Sequence, residues 1–125
     1  MAPIEVSVDR EADLTVLTVT GEVTARQILE VIAGYYAASP TKHVLWDLSA
    51  AALDRVTASE VKPLVQASEQ YTAGRVGGKT AMVFSSASAY GLGRLFDQLR
   101  QVSDAPVETM SFRDRASALA WLGGE

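Results

Sequence analysis

Apolar and polar residues alternate from Ile4 to Val8, which predicts a half-buried strand. After the polar turn Asp9-Arg10-Glu11-Ala12-Asp13 the alternation returns over Leu14 to Thr20, now rich in β-branched residues, and Gly21 ends it. The two segments predict an antiparallel hairpin. The spacing then changes to that of a helix. Ile28, Leu29, Ile32, Tyr35 and Tyr36 form an apolar stripe behind a capping box of Thr24 and Gln27, and Ser39-Pro40 stops the helix.

From His43 to Leu48 the chain is almost continuously apolar, the pattern of a parallel strand covered on both faces. A second capping box, Thr57 with Glu60, opens a helix carrying Val61, Leu64, Val65 and Tyr71 at helical spacing. Pro63 falls in its first turns, where a missing N–H costs least. Gly74 to Gly78 reads as a loop and Thr80 to Phe84 as another buried strand. Ser85 to Ser88 leads into a helix with Leu92, Leu95, Phe96, Leu99 and Val102 on one face. Val107 to Phe112 is the last strand, and Asp114 to Leu122 the last helix, with Leu119 and Leu122 on its apolar stripe beside Trp121. The order ββαβαβαβα predicts an α/β fold: a mainly parallel sheet of four or five strands, an N-terminal hairpin and four helices. Residues 1–125 are expected to form a single domain.

Composition narrows the classes of function. Hydrophobic residues make up 48% and charged residues 21%, as in a globular protein. There is no cysteine, which removes disulfides, thiolate catalysis and cysteine metal sites and fits a reducing compartment. The net charge of −4 argues against nucleic-acid binding, which needs basic surfaces. The start, Met1-Ala2-Pro3-Ile4, has no basic stretch followed by an apolar run, so no signal peptide is expected, and no segment is long and apolar enough to predict a membrane span.

The segment Ala73 to Thr80 fits a loose phosphate-loop pattern, with alanine for the first glycine. That mechanism needs a strand before the loop and a helix after it, and here the order is reversed. Gly91-Leu92-Gly93 lacks the third glycine of a dinucleotide fingerprint. His43, the only histidine, opens its strand, whereas open α/β sheets bind ligands at the carboxyl ends. No cofactor and no metal site is implied, an oxygen-ligated magnesium site staying open. The carboxyl ends gather the polar groups. Asp47 and Ser49 close the third strand. Asp54, Arg55, Thr57 and Ser59 follow in the next loop and helix start, and Ser85, Ser86 and Ser88 close the fourth strand. Some of them also have a plain structural use: Thr57 and Ser86 or Ser88 as caps, Asp47 as a turn former.

The strand Val44-Leu45-Trp46-Asp47-Leu48, the helix start Tyr90-Gly91-Leu92-Gly93-Arg94 and the ending Phe112-Arg113-Asp114 to Ala120-Trp121-Leu122, in this element order, resemble the SpoIIAA-like group, related to the STAS (sulfate transporter and anti-sigma-factor antagonist) domains. The resemblance covers nearly the whole chain. It implies a small bacterial cytoplasmic domain that acts by binding, in some members switched by serine or threonine phosphorylation in the loop after the central strand. Regulatory members carry an Asp-Ser-Ser-Gly-like motif in that loop. This chain instead has Leu53 to Glu60, with Thr57 or Ser59 near the equivalent place. A phosphate at Thr57 would gain from the helix dipole but meet Glu60 and Asp54.

The expected function is therefore a non-enzymatic regulatory or protein-interaction domain, its working surface formed by Asp47, Ser49, Asp54, Arg55, Thr57, Ser59, Ser85 and Ser86. The expected partner is a protein of unknown identity; oligomeric state is open, a homodimer included. The alternative is a small-molecule binder for an acyl or lipid-like ligand. It requires Tyr35, Tyr36, Tyr71, Phe84 and Phe96 to line a cavity of more than roughly 300 Å³. A serine hydrolase is disfavoured, since no Gly-x-Ser-x-Gly elbow exists.

Overall fold

The computed structural model describes residues 4–36, 41–70, 75, 77–102 and 107–124. Among these residues the elements are β1 (Ile4–Asp9), β2 (Leu14–Glu22), α1 (Ala25–Val31), β3 (His43–Ala52), α2 (Ala58–Glu69), β4 (Lys79–Val83), α3 (Ala87–Val102), β5 (Glu108–Phe112) and α4 (Arg115–Gly123). A π-helical turn, Ile32–Tyr36, continues α1. The sheet runs β1-β2-β3-β4-β5, with β1 antiparallel to β2 and the other pairs parallel. The fold class and element order are those the periodicity predicts. Ser39-Pro40, Tyr71 and Gly74 lie outside the described residues, as do the side chains of Tyr35 and Tyr36.

The near-continuous apolar run of β3 follows from the two-residue period of a strand covered twice. Val44, Trp46 and Leu48 join Leu17, Val19, Met82 and Phe84 under α1, α2 and α3. Leu45 points the other way and meets Ala81, Val83 and the Ala118 and Leu122 side chains of α4. Three helices thus cover one face and one helix the other. Thr24 caps α1 by accepting from the Gln27 N–H, and Gln27 answers to the Thr24 N–H, completing the predicted box.

Several local expectations give way. β1 is mostly exposed rather than half-buried: Val6 and Val8 are 47% and 39% accessible, because β1 pairs at the sheet edge with β2 alone. Gly21 does not end β2. It adopts φ +73°, a conformation open to glycine, and the strand continues to Glu22. Pro63 lies in the first turns of α2 as expected, but at the sixth helical position, so its missing N–H leaves the Ser59 carbonyl with no i+4 N–H to accept from. Leu119 is exposed, and Ala118 and Leu122 face the sheet instead.

The largest difference is in α3. Leu92, Leu95, Phe96 and Leu99 are only half-buried and Val102 is 84% exposed. The fully buried line is Ala89, Gly93, Asp97 and Arg100. Gly93 explains the rotation. A side chain there would collide with the Phe84 ring and with Ser111 Oγ, so glycine lets α3 sit close on β4 and β5. That close seat turns Asp97 and Arg100 inward.

Candidate functional site

Parallel pairing places the carboxyl ends of β2 to β5 on one edge of the sheet, followed by the starts of α2, α3 and α4. Asp47 does not end β3 as expected. The strand runs five residues further, to Ala52, and pairs again with β2 after a register shift between Thr18 and Thr20. Asp47 is buried on the α4 side. Its Oδ1 accepts from the Ser49 N–H at 3.1 Å and the Ser49 hydroxyl at 2.6 Å, and its Oδ2 accepts from Arg115 Nη1 at 3.0 Å. Burial opposes the charge on Asp47, but the Ser49 bonds and the Arg115 guanidinium outweigh it and hold the carboxyl below its usual value. Ser49 itself is exposed.

The other predicted residues fall into two groups. At the start of α2, Asp54, Arg55, Thr57 and Ser59 are all exposed. Arg55 pairs with Glu22 at the end of β2. The Thr57 N–H donates to Glu60 at 2.9 Å in the capping box, while its hydroxyl bonds Ser59 Oγ at 3.0 Å and Glu60 at 3.2 Å. At the start of α3, Ser86 accepts from the Ala89 N–H at 3.1 Å, so Ser86 is the cap. The Ser85 carbonyl accepts from Arg113 Nη2 at 3.0 Å.

Sequence reasoning missed Tyr90, Arg94, Arg113 and Arg115. The Arg113 guanidinium lies 5.8 Å from the centre of the Tyr90 ring. Arg94 lies one helical turn from Tyr90 on α3, and the neighbouring phenol raises its basicity. A signal was present: Arg113 and Arg115 directly follow a parallel strand, and every such strand ends on this edge.

Among the described residues the opposite edge carries no comparable group. His43 is half-buried; its Nδ1 accepts from the Lys79 backbone N–H at 3.1 Å, and burial followed by the nearby Lys42 lowers its pKa. Lys79 Nζ donates to the Trp121 and Gly124 carbonyls at 2.9 and 2.6 Å and lies over the Trp121 ring. The lysine of the loose phosphate-loop pattern is thus engaged at the end of α4. Gly77 and Gly78 lead into a strand, not a helix.

Between the three-helix layer and the sheet lies a cavity of about 80 Å³, lined by Trp46, Phe84 and Phe96 among others and reached by the buried Arg75 and Arg100. It is well below the roughly 300 Å³ at which ligand pockets begin. Arg75 and Arg100 have structural duties. Arg75 Nε donates to the Thr41 carbonyl at 3.0 Å, and its Nη2 to Thr80 Oγ1 at 2.8 Å. Arg100 bonds Ser68 at 2.8 Å and the Val107 carbonyl at 3.0 Å. Asp97 is buried against β5, where burial raises its pKa more than Thr109, Ser111 and Arg94 lower it. Ser111 Oγ lies near this carboxyl, yet it and Asp97 Oδ1 have no hydrogen-bond partner among the described residues.

Among the described residues no three His, Asp or Glu groups converge as a metal site, and no helix is long and apolar enough to cross a membrane. No known family profile matches the chain, and no curated protein matches it in sequence. Solved structures do. A DUF3478-family protein from Shewanella loihica PV-4, described as uncharacterised and with a SpoIIAA-like fold, aligns with TM-score 0.62 and 16% identity, over 98% of this chain and 95% of that one. An anti-sigma factor antagonist from Mycobacterium paratuberculosis aligns with TM-score 0.61 and 18% identity, over 97% and 93%. The anti-sigma factor antagonist SpoIIAA, in its unphosphorylated form, aligns with TM-score 0.54 and 16% identity, over 98% and 99%. These likenesses, with the topology above, establish that the chain adopts the SpoIIAA-like α/β fold.

Proposed function

We propose that the protein is a regulatory binding domain that engages a partner protein through the carboxyl edge of its sheet and catalyses no reaction. One observation carries the reading: of the eight predicted residues on this edge, all but Asp47 are exposed, on an open polar surface. The likeness to anti-sigma factor antagonists supports a binding role. The same reading puts the domain in a bacterial cytoplasm, where a chain without cysteine is at home.

Asp54 and Arg55 test it. Both are exposed, and the ion pair of Arg55 with Glu22 is a surface pair worth under about 1 kcal/mol. Asp54→Ala and Arg55→Ala should keep the parent melting temperature while weakening capture of a partner that the parent retains on affinity purification. Variants that retain the parent's partner set in full would move the working surface elsewhere.

A further inference from the structure

We propose that the corner formed by Tyr90, Arg94 and Arg113 is a docking surface for an acidic peptide segment of a partner protein. The inference rests on the protein-binding reading above and names the chemistry of the partner.

The corner is built from two segments, Ser85 to Arg94 and Arg113 to Ser117. Together they hold three arginines and one acid, in a chain of net charge −4. The acid is already used. Asp114 caps α4, its two oxygens accepting from the Ser117 N–H at 2.7 Å and the Ser117 hydroxyl at 2.9 Å. Arg115 is committed to Asp47. That leaves Arg94 and Arg113, both exposed and both beside Tyr90. Arg113 lies over the face of Tyr90 and donates to the Ser85 carbonyl. Arg94 lies beside the same tyrosine, one helical turn along α3.

This arrangement suits recognition. A guanidinium offers a planar fork of donors that matches a carboxylate, and one already held against an aromatic ring loses little freedom on binding. Tyrosine and arginine are also the residue types most enriched where binding energy concentrates. The charge of the rest of the chain adds selectivity. An acidic segment is repelled by the negative surface elsewhere and attracted at this corner. The start of α2, with Asp54, Glu60 and Glu22 beside Arg55, has the opposite balance.

The probe is a fluorescein-labelled oligoglutamate peptide, followed by fluorescence anisotropy with the full chain at low and moderate salt. Binding should be salt-dependent and should weaken about tenfold in Arg94→Gln and in Arg113→Gln, as expected for direct charge contacts. Arg26→Gln, an exposed change on α1, should leave it unchanged. Thermal melts accompany each variant, and Arg94→Gln alone decides the case if Arg113→Gln unfolds. Absent peptide binding, equal binding by the arginine variants, or equally tight binding of a DNA oligonucleotide of matched charge would each overturn the proposal. Failure here with the partner still lost in Asp54→Ala or Arg55→Ala rejects the acidic corner alone. Oligoglutamate binding with no partner lost in those two variants rejects only the surface assigned to the α2 start.

Discussion

Arg115 Nη1 donates to Asp47 Oδ2 at 3.0 Å, tying the first turn of α4 to the central strand across 68 positions of sequence. Ser49 holds the other carboxylate oxygen from within β3, where the pairing with β2 shifts register. One carboxylate thus fixes both a strand irregularity and a helix start. It contributes to the shape of the carboxyl edge, while the exposed residues around it are those available to a partner.

The first prediction follows from the charge on Asp47. Its folded-state pKa lies below the usual 3.8, so the stability it adds is present above that value and is lost as pH falls through the folded-state pKa. Asp47→Asn should lower stability at neutral pH by about 1.5–3 kcal/mol, the range for hydrogen bonds to a charged group. It should also flatten the acid limb of a stability-versus-pH curve from denaturant melts. Arg115→Ala should cost less, about 1 kcal/mol or under, because that side chain is half in solvent. An asparagine variant with the parent's acid limb would show that Asp47 carries no such linkage.

Asp97 should behave in the opposite sense. Burial raises its folded-state pKa, so the fold holds the carboxyl proton more tightly than the unfolded chain does. Stability is then greatest below the unfolded-state pKa and declines as pH rises towards the folded-state value. Asp97→Asn removes the buried charge while keeping the size. The variant should melt higher than the parent at pH 7 and show no such decline. A lower melting temperature at pH 7 would mean that the carboxylate makes a bond worth more than its burial costs.

The last helix offers a comparison within three residues. Leu122 is buried with Ala118 against Leu45, Ala81 and Val83, whereas Leu119 is 41% exposed. Leu122→Ala should cost about 2–5 kcal/mol. Leu119→Ala should stay within about 0.5 kcal/mol, as exposed substitutions do. Deleting residues 115 to 125 should leave a chain that melts far lower or does not fold, since it strips that face of the sheet. Equal costs for the two leucine variants in denaturant melts would contradict this packing.

Local signals determined the element order. Strand alternation, the Thr24–Gln27 and Thr57–Glu60 boxes and the apolar runs of β3 and β4 act between neighbours a few residues apart, so they are legible in a linear text. They also put Asp54, Arg55, Thr57, Ser59, Ser85 and Ser86 at the carboxyl edge, because parallel strands all end there. The inward face of α3 was decided only by tertiary structure. Its leucine stripe is the more hydrophobic face, but Gly93 permits a close approach that buries Asp97 and Arg100 instead. Arg100 is tolerable there because Ser68 and the Val107 carbonyl receive it, and Ser68 is 32 positions away. The same holds for Asp47, whose partner in α4 becomes a neighbour only once β3, β4 and β5 lie side by side. Burial of polar groups is settled by partners distant in the chain, and the sheet order that brings them together is a property of the whole fold.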